Sequence, residues 1–323
     1  MSRTRYELAS DKKLLLLDGE IGGIMWKHPK VKNGGPFKTP LVTATICIDD
    51  QDYIKKVHSD YIRAGADIIT ANTYATVAKR LEKELDYGDS KKVWEQMMSN
   101  ALDAAVDARK ESGNDRILIA GSLPPLHGSY KPLQVGAYDD IFETYKEHIK
   151  FMENKVDFFL IETMTTIEEA RAAANACSTA TNKPYWISWT IKDSFEVPVR
   201  LRSNENLVSA IEDVLKCQRK PDGLFVNCAK PEIMHLAIDA LIKYKNEIRF
   251  IGCYGNAFEN IPDNWKVKEG GIKALGRRND VSIEFYSETA RKWLDKGANV
   301  VGGCCQIGVE YIAELAKIIE KRE

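Results

Sequence analysis

The chain predicts an α/β protein built as a single (β/α)8 TIM-type barrel over residues 1–323. Two observations carry that expectation. Eight short apolar, β-prone runs alternate with longer amphipathic stretches, and the runs are almost continuously apolar rather than alternating, as in a parallel sheet covered on both faces. An open doubly wound sheet is the rival. It usually carries a glycine-rich phosphate loop after its first strand, and DGEIGGIM at that place does not fit G-x-G-x-x-G.

The first run, LLLLD (14–18), leads into a long loop over residues 19 to about 49, then a helical stretch, YIKKVHSDYIRAG, which Gly65 closes. ADIITAN (66–72) precedes a helix from Lys91 to Glu111. RILIAGS (116–122) precedes a second long loop, to about residue 137, and the amphipathic YDDIFETYKEHIKFMEN. VDFFLIET (156–163) precedes TTIEEARAAANACST, where Thr166 and Glu169 have the spacing of a capping box. YWISWT (185–190) and GLFVNC (223–228) are followed by NENLVSAIEDVLKC and PEIMHLAIDALIKY. RFIGCYG (249–255) precedes a third long loop, about 256 to 281, and SIEFYSETARKWLDKG, closed by Gly297. NVVGGCC (299–305) and VEYIAELAKIIEKRE complete eight strand–helix pairs.

A hydrophobic content of 44% and a charged content of 29% suit a soluble globular protein. The net charge of −1 gives no electrostatic reason to expect nucleic acid or an anionic membrane as partner. There is no 18-residue apolar stretch, and the N-terminal four-leucine run is too short for the apolar region of a signal peptide. These features point to the cytoplasm. Seven cysteines in a chain of this length are then buried thiols, metal ligands or catalytic groups rather than a disulfide framework. Cys177 and Cys217 fall in helical patterns and Cys47 and Cys253 near element ends, and all four read as small buried hydrophobes.

In a (β/α)8 barrel the chemistry sits where strands end and strand-to-helix loops begin. Cys228 ends the sixth strand, and Cys304 and Cys305 end the eighth. Even-numbered strands present side chains at similar heights. Three thiolates meeting there would make a zinc site with one open position, the mark of a catalytic centre. Buried thiols or a regulatory vicinal disulfide are the other readings. Gly302 and Gly303 permit a turn that brings both adjacent cysteines to one side. Asn72 and Asn227 stand at strand ends, where they would orient loops or substrate. No histidine shows metal-ligand spacing. Trp186 and Trp189 cannot both face inward on a regular strand.

VNCAKPE, GGCC and DGEIG resemble the homocysteine S-methyltransferase family, which includes betaine-using enzymes and the homocysteine domain of cobalamin-dependent methionine synthase. VHSDYIRAGADIITANTYAT, FFLIETMTTIEEA and ETARKWLDKGANVVGGCC extend the resemblance from about residue 13 to 320. It implies the same barrel, with Cys228, Cys304 and Cys305 as ligands of Zn2+ and the homocysteine sulfur as the fourth ligand. A zinc-bound thiol loses its proton, and that sulfur would attack the methyl group of a positively charged donor to give methionine. The resemblance also implies that Glu162 binds the homocysteine amino group and that Asp18 helps hold the amino acid. Gly19 would approach it through its backbone, and Thr43 would touch its carboxylate. It implies a structural role for His58.

Several positions depart from the family pattern. Betaine-using relatives bind their quaternary ammonium with aromatic residues, and this chain has Val42, Ala75 and Thr163 at those places. Relatives using S-methylmethionine or S-adenosylmethionine usually carry Trp-Ser where Val42-Thr43 stands. DGE replaces DGG or DGA, so that Glu20 adds a negative charge near the mouth, favourable to a cationic donor. CYGNAFE keeps only Asn256 of the usual proline-asparagine motif, and GSLPPLHGSY replaces the more familiar GS-x-GPY. The chain is too short for folate and cobalamin modules. A zinc-dependent enzyme using a small sulfonium donor, S-methylmethionine or S-adenosylmethionine, is therefore the leading expectation. A betaine- or dimethylsulfoniopropionate-type donor, another thiol or selenol acceptor, and a non-catalytic zinc or redox-sensing barrel are its rivals. The long loops are also compatible with subunit contact in a homo-oligomer.

Overall fold

The computed structural model describes residues 3–29, 42–78, 81, 90–262 and 275–322. Eight parallel strands run in the order β1-β8-β7-β6-β5-β4-β3-β2. They are β1 (Leu15–Leu16), β2 (Ile68–Thr70), β3 (Leu118–Leu123), β4 (Phe158–Met164), β5 (Tyr185–Trp189), β6 (Gly223–Asn227), β7 (Phe250–Gly255) and β8 (Val300–Gly303). The ring closes between β1 and β2 through the parallel Leu17–Ile68 bridge. Two backbone bonds reinforce it, from Asp18 N to Ile68 O at 2.9 Å and from Asp67 N to Leu16 O at 2.8 Å. The expected barrel and its eight strands are present.

Eleven α-helices occur among the described residues: α1 (Arg5–Ala9), α2 (Gly22–Met25), α3 (Val42–Asp49), α4 (Gln51–Arg63), α5 (Ser90–Ser112), α6 (Tyr138–Met152), α7 (Ile167–Ala180), α8 (Leu207–Val214), α9 (Met234–Leu241), α10 (Ile283–Asp295) and α11 (Val309–Glu320). Gly65 and Gly297 follow α4 and α10 with φ of 100° and 102°, the left-handed conformation that a glycine tolerates after a helix end. Most strand residues that face outward pack with the apolar sides of these helices in one continuous core. A second apolar cluster fills the barrel itself, with Leu15, Leu17, Ile68, Leu118, Ala120, Phe158, Leu160, Trp186, Phe225, Phe250 and Val300. Tyr6 and Ala9 of α1 belong to this cluster, and Trp186 Nε1 donates to the Tyr6 hydroxyl over 2.7 Å. The interior is thus a packed plug, and chemistry is confined to its C-terminal end.

Some details differ from the sequence reading. Helices α1, α2 and α3 were not legible as helices. The last two occupy part of the first long loop, whose residues 30–41 lie outside the described residues. Residues 263–274 of the third long loop also lie outside them. PEIMHLAIDALIKY divides into a 3-10 turn (Pro231–Ile233), α9 and a second 3-10 turn (Ile242–Tyr244). At α7 only half of the capping box takes the expected form. Thr166 accepts from Glu169 N at 3.1 Å, while the Glu169 carboxylate accepts from the amide and hydroxyl of Thr165. Trp186 lies inside the barrel, whereas Trp189 packs in the outer core, as strand alternation requires.

Candidate metal and substrate site

On five strands, β2 to β6, the inward alternation ends in a polar residue. Thr70, Ser122, Glu162, Ser188 and Asn227 stand two positions beyond Ile68, Ala120, Leu160, Trp186 and Phe225 of the apolar plug. Gly302 and then Cys304 continue the same face from Val300. Cys228 comes one residue after β6 with a left-handed φ of 53°, which re-aims its side chain. The strained backbone clusters here. Tyr130, Thr163, Cys228 and Gln306 are four of the five non-glycine residues with positive φ among the described residues, and such outliers persist where surrounding contacts over-determine them.

The Cys304–Cys305 turn is held by Glu20, whose Oε2 accepts from Gln306 N at 2.6 Å and whose amide donates to Ile307 O at 2.9 Å. Ile307 N donates to Cys304 O at 3.1 Å. The positive φ of this turn falls on Gln306, at 68°, and not on either preceding glycine. Gly302 and Gly303 serve close packing instead. A Cβ would lie 2.5 Å from Leu17 Cβ at the first and 2.5 Å from Ile307 Cγ2 at the second.

The three sulfurs converge. Cys228 Sγ lies 3.5 Å from Cys305 Sγ, Cys304 Sγ lies 4.0 Å from Cys305 Sγ, and all three fall within 4.8 Å of one another. Sulfurs on a tetrahedral ion with bonds of about 2.3 Å are separated by about 3.8 Å, so the cluster fits a metal. Three soft donors suit zinc among the common choices. Tyr130, Phe258, Ile261 and Leu275 form an apolar collar against the cysteines. Burial works against charge on Cys228, yet Cys304, Cys305, the Tyr130 phenol at 2.7 Å and the Asn256 amide at 3.8 Å aim donors at it. Together they hold this thiol well below its ordinary pKa. Hydrogen bonding to Cys228 in turn raises Cys304 and Cys305.

Two buried carboxyl groups share the mouth. Glu162 accepts from Ser122 Oγ at 2.5 Å and from Tyr254 Oη at 3.4 Å, and burial pushes its pKa up to about 7. Asp18 accepts from the Thr70 amide at 2.7 Å and hydroxyl at 3.0 Å. Burial outweighs those bonds and pushes it up to about 8, with the nearby Glu162 adding to the rise. Gly19 packs so tightly that a Cβ would lie 2.3 Å from Ile307 O and 3.0 Å from Tyr61 Oη.

Asn227 is fully buried. Its Oδ1 accepts from Thr163 N at 2.9 Å and Ser188 Oγ at 2.7 Å, and its Nδ2 donates to Thr163 Oγ1 at 2.8 Å and lies 3.9 Å from Cys304 Sγ. These bonds fit a residue that positions its neighbours. Asn72 donates to Thr43 O at 2.8 Å and contacts Cys47 Sγ at 3.3 Å, tying α3 to the end of β2. Glu20 is buried against its turn rather than displayed as a free charge.

The remaining cysteines are buried and free of disulfides. Burial raises Cys47 to about 12 and Cys217 to about 11, and it also raises Cys177 and Cys253. His58 is fully buried, neither ring nitrogen has a hydrogen-bond partner among the described residues, and burial lowers its pKa to about 4. Sequence reasoning missed Tyr130, Ser122, Tyr254 and Thr70. Inward alternation identifies Ser122 and Thr70. Tyr130 sits in a loop, where no period applies.

The homocysteine S-methyltransferase family model matches residues 15–319. Homocysteine S-methyltransferase YbgG of Bacillus subtilis (strain 168) is 26% identical, over 94% of this chain and 93% of its own. Homocysteine S-methyltransferase 1 of Brassica oleracea var. italica is 26% identical over 90% of each chain. Among solved structures, the metallated form of the homocysteine methyltransferase MmuM from Escherichia coli superposes with a TM-score of 0.73 at 21% identity, covering 97% of this chain and 98% of that one. Its oxidized form gives 0.75 at 19% identity, covering 99% and 100%.

Proposed function

Since the chain belongs to the homocysteine S-methyltransferase family, we propose that it is a zinc-dependent enzyme that moves a methyl group from a small sulfonium donor to homocysteine. S-methylmethionine or S-adenosylmethionine is the donor this reading favours. The observation that carries it is the convergence of three cysteine sulfurs in the same barrel mouth as two buried carboxyl groups.

Cys228, Cys304 and Cys305 hold the metal. When bound, zinc supplies a Lewis acid that lowers the pKa of a substrate thiol. Glu162 and Asp18 take the substrate ammonium, a partner that repays the cost of ionising carboxyl groups in a buried site. Thr43 faces the substrate carboxylate, and Gly19, packed closely against Ile307 and Tyr61, brings its backbone to the amino acid at the end of β1. Asn227 positions Thr163 and Cys304 around this cavity. The homocysteine sulfur provides the electron pair of the new S–C bond. The donor sulfur keeps the pair of the broken bond and leaves as a neutral thioether, and the thiol proton is released. Ala75 and Thr163 are not aromatic, which favours a sulfonium over betaine.

The test is methionine formation by mass spectrometry from reduced, zinc-loaded protein and homocysteine. S-methylmethionine, S-adenosylmethionine, dimethylsulfoniopropionate and betaine are supplied in parallel. Methionine from a sulfonium, lost in Cys304→Ala together with bound zinc while circular dichroism is unchanged, supports the proposal. Methionine from betaine alone overturns the donor assignment, and none from any donor with zinc bound overturns the reaction.

A further inference from the structure

We propose that a cleft at the end of the barrel opposite the cysteines, between the starts of β7 and β8 and the end of α10, binds the phosphate monoester of a small organic molecule. This goes beyond the methyl-transfer reading and does not depend on it.

The cleft encloses about 410 Å3, within the ordinary range for small-molecule sites. Arg249 and Asn299, the residues just before β7 and β8, line one side, and Lys245 and Asn246, just after the second 3-10 turn, line another. Strand β7 has six residues, so its far end at the mouth stands about 20 Å away. Ile242 and Ile251 give the cleft an apolar floor. Gly297, with φ of 102°, brings the end of α10 against that floor, where a Cβ would lie 2.8 Å from Ile242 Cδ1.

Charge decides the ligand class. Two of the ionic groups lining the cleft are already paired, Lys296 with Asp239 at 2.5 and 2.6 Å and Asp295 with Arg322 at 2.8 Å. Lys245 and the Asn246 side chain are exposed and have no partner among the described residues. Arg249 donates one arm to the backbone Ser10 O, and its guanidinium lies 5.6 Å from the centre of the Phe250 ring. Asp11 and Asp222 feel its charge, but no carboxylate among the described residues forms an ion pair with it. Asn299 fixes the backbone that carries it, donating to Arg249 O at 2.8 Å and accepting from Ile251 N at 2.7 Å. The cation is therefore in place before any ligand arrives.

Two uncompensated cations beside an amide donor match a dianion. A phosphate monoester carries about 1.5 to 2 negative charges at neutral pH and three acceptor oxygens. An arginine fork and a lysine point charge both suit it. The apolar floor receives the organic part, which inorganic phosphate lacks.

The experiment measures binding by calorimetry to zinc-loaded protein at low ionic strength, where exposed charges are least screened. Its probes are phenyl phosphate, inorganic phosphate, benzoate and the dicarboxylate phthalate. Phenyl phosphate should bind with a Kd of about 1 mM or tighter, and the other three more weakly by about fivefold or more. Lys245→Glu and Arg249→Gln should each weaken phenyl phosphate about 10-fold or more, whereas Cys304→Ala should leave it unchanged. Because Arg249→Gln also releases Ser10 O, the exposed Lys245→Glu keeps the test independent of folding. No binding to wild type, or undiminished binding to Lys245→Glu, would mean that the cations serve only the helix ends bordering the cleft, and overturns the proposal. Binding lost in Cys304→Ala places the anion at the mouth and overturns it too. Phthalate bound as tightly as phenyl phosphate overturns the phosphate assignment.

Discussion

Tyr130 and Cys228 are joined across the barrel mouth: the phenol donates to Sγ over 2.7 Å, and both residues are buried. Each also has a left-handed backbone, with φ of 63° and 53°. Two strained residues meeting through one bond indicate that the collar sets the position of the sulfur. Partners behind a metal ligand typically carry 10- to 100-fold in metal affinity. Tyr130→Phe should therefore weaken zinc binding about 10-fold, measured against a chromophoric chelator, with an unchanged circular dichroism spectrum. Equal affinity in wild type and variant would show that the bond has no bearing on the metal.

The pair Glu162 and Asp18 gives the substrate site a pH dependence of definite sign. Burial raises them to about 7 and about 8, so in the substrate-free protein both are largely neutral at pH 6 and ionised above pH 8.5. An ammonium binds the ionised forms. Methionine, which has the ammonium but no thiol, should bind more tightly as pH rises across this window when followed by calorimetry. Glu162→Gln should flatten the profile and weaken binding about 10-fold or more. Stability runs the other way. With folded pKa values above the ordinary 4.5 and 3.8, the contribution is complete below those ordinary values and is lost as pH rises through 7 to 8. Asp18→Asn should remove part of that decline in Tm. A pH-independent affinity for methionine would argue against both carboxyl groups as its partners.

Oxidation should join particular sulfurs. The sequence suggests a Cys304–Cys305 disulfide on oxidation, because the residues are adjacent. In the folded protein Cys228 and Cys305 are nearer, at 3.5 Å against 4.0 Å for the neighbours. Mild oxidation of metal-free protein should yield mainly a Cys228–Cys305 crosslink, detected by peptide mapping without reduction, and bound zinc should slow it. A predominant vicinal disulfide would show that the turn rearranges before the bond forms.

The barrel was legible because its signal is local and periodic. Eight apolar runs specify eight buried strands, and the inward alternation from Phe158 through Leu160 places Glu162 at the mouth without reference to any other residue. Cys304 follows from Val300 and Gly302 in the same way. Cys305 does not, since alternation sends it to the other face, and it joins the cluster through the Gln306 turn. Glu20 was legible as a charge but not as an anchor, because its partner is an amide 286 residues away. Tyr130 lies in a loop whose path depends on tertiary contacts. Helices α2 and α3 were obscured because their residues carry no clear amphipathic period.

Glu20 separates two explanations that the sequence alone leaves joined. As a free charge at the mouth it would attract a cationic donor. As a buried acceptor for Gln306 N it fixes the turn carrying two of the three sulfurs, and its own amide holds Ile307 from the other side. The second role predicts that Glu20→Ala leaves the Gln306 amide without its acceptor, a loss of about 1–3 kcal/mol, and lowers zinc affinity about 10-fold. Glu20→Gln removes the charge but keeps an amide oxygen able to accept the same bond, so its zinc affinity should stay within about threefold of wild type. Chelator competition on both variants, with donor KM measured alongside, decides the matter. If both variants bind zinc like wild type and both raise donor KM, Glu20 acts through charge, and the turn is held without it.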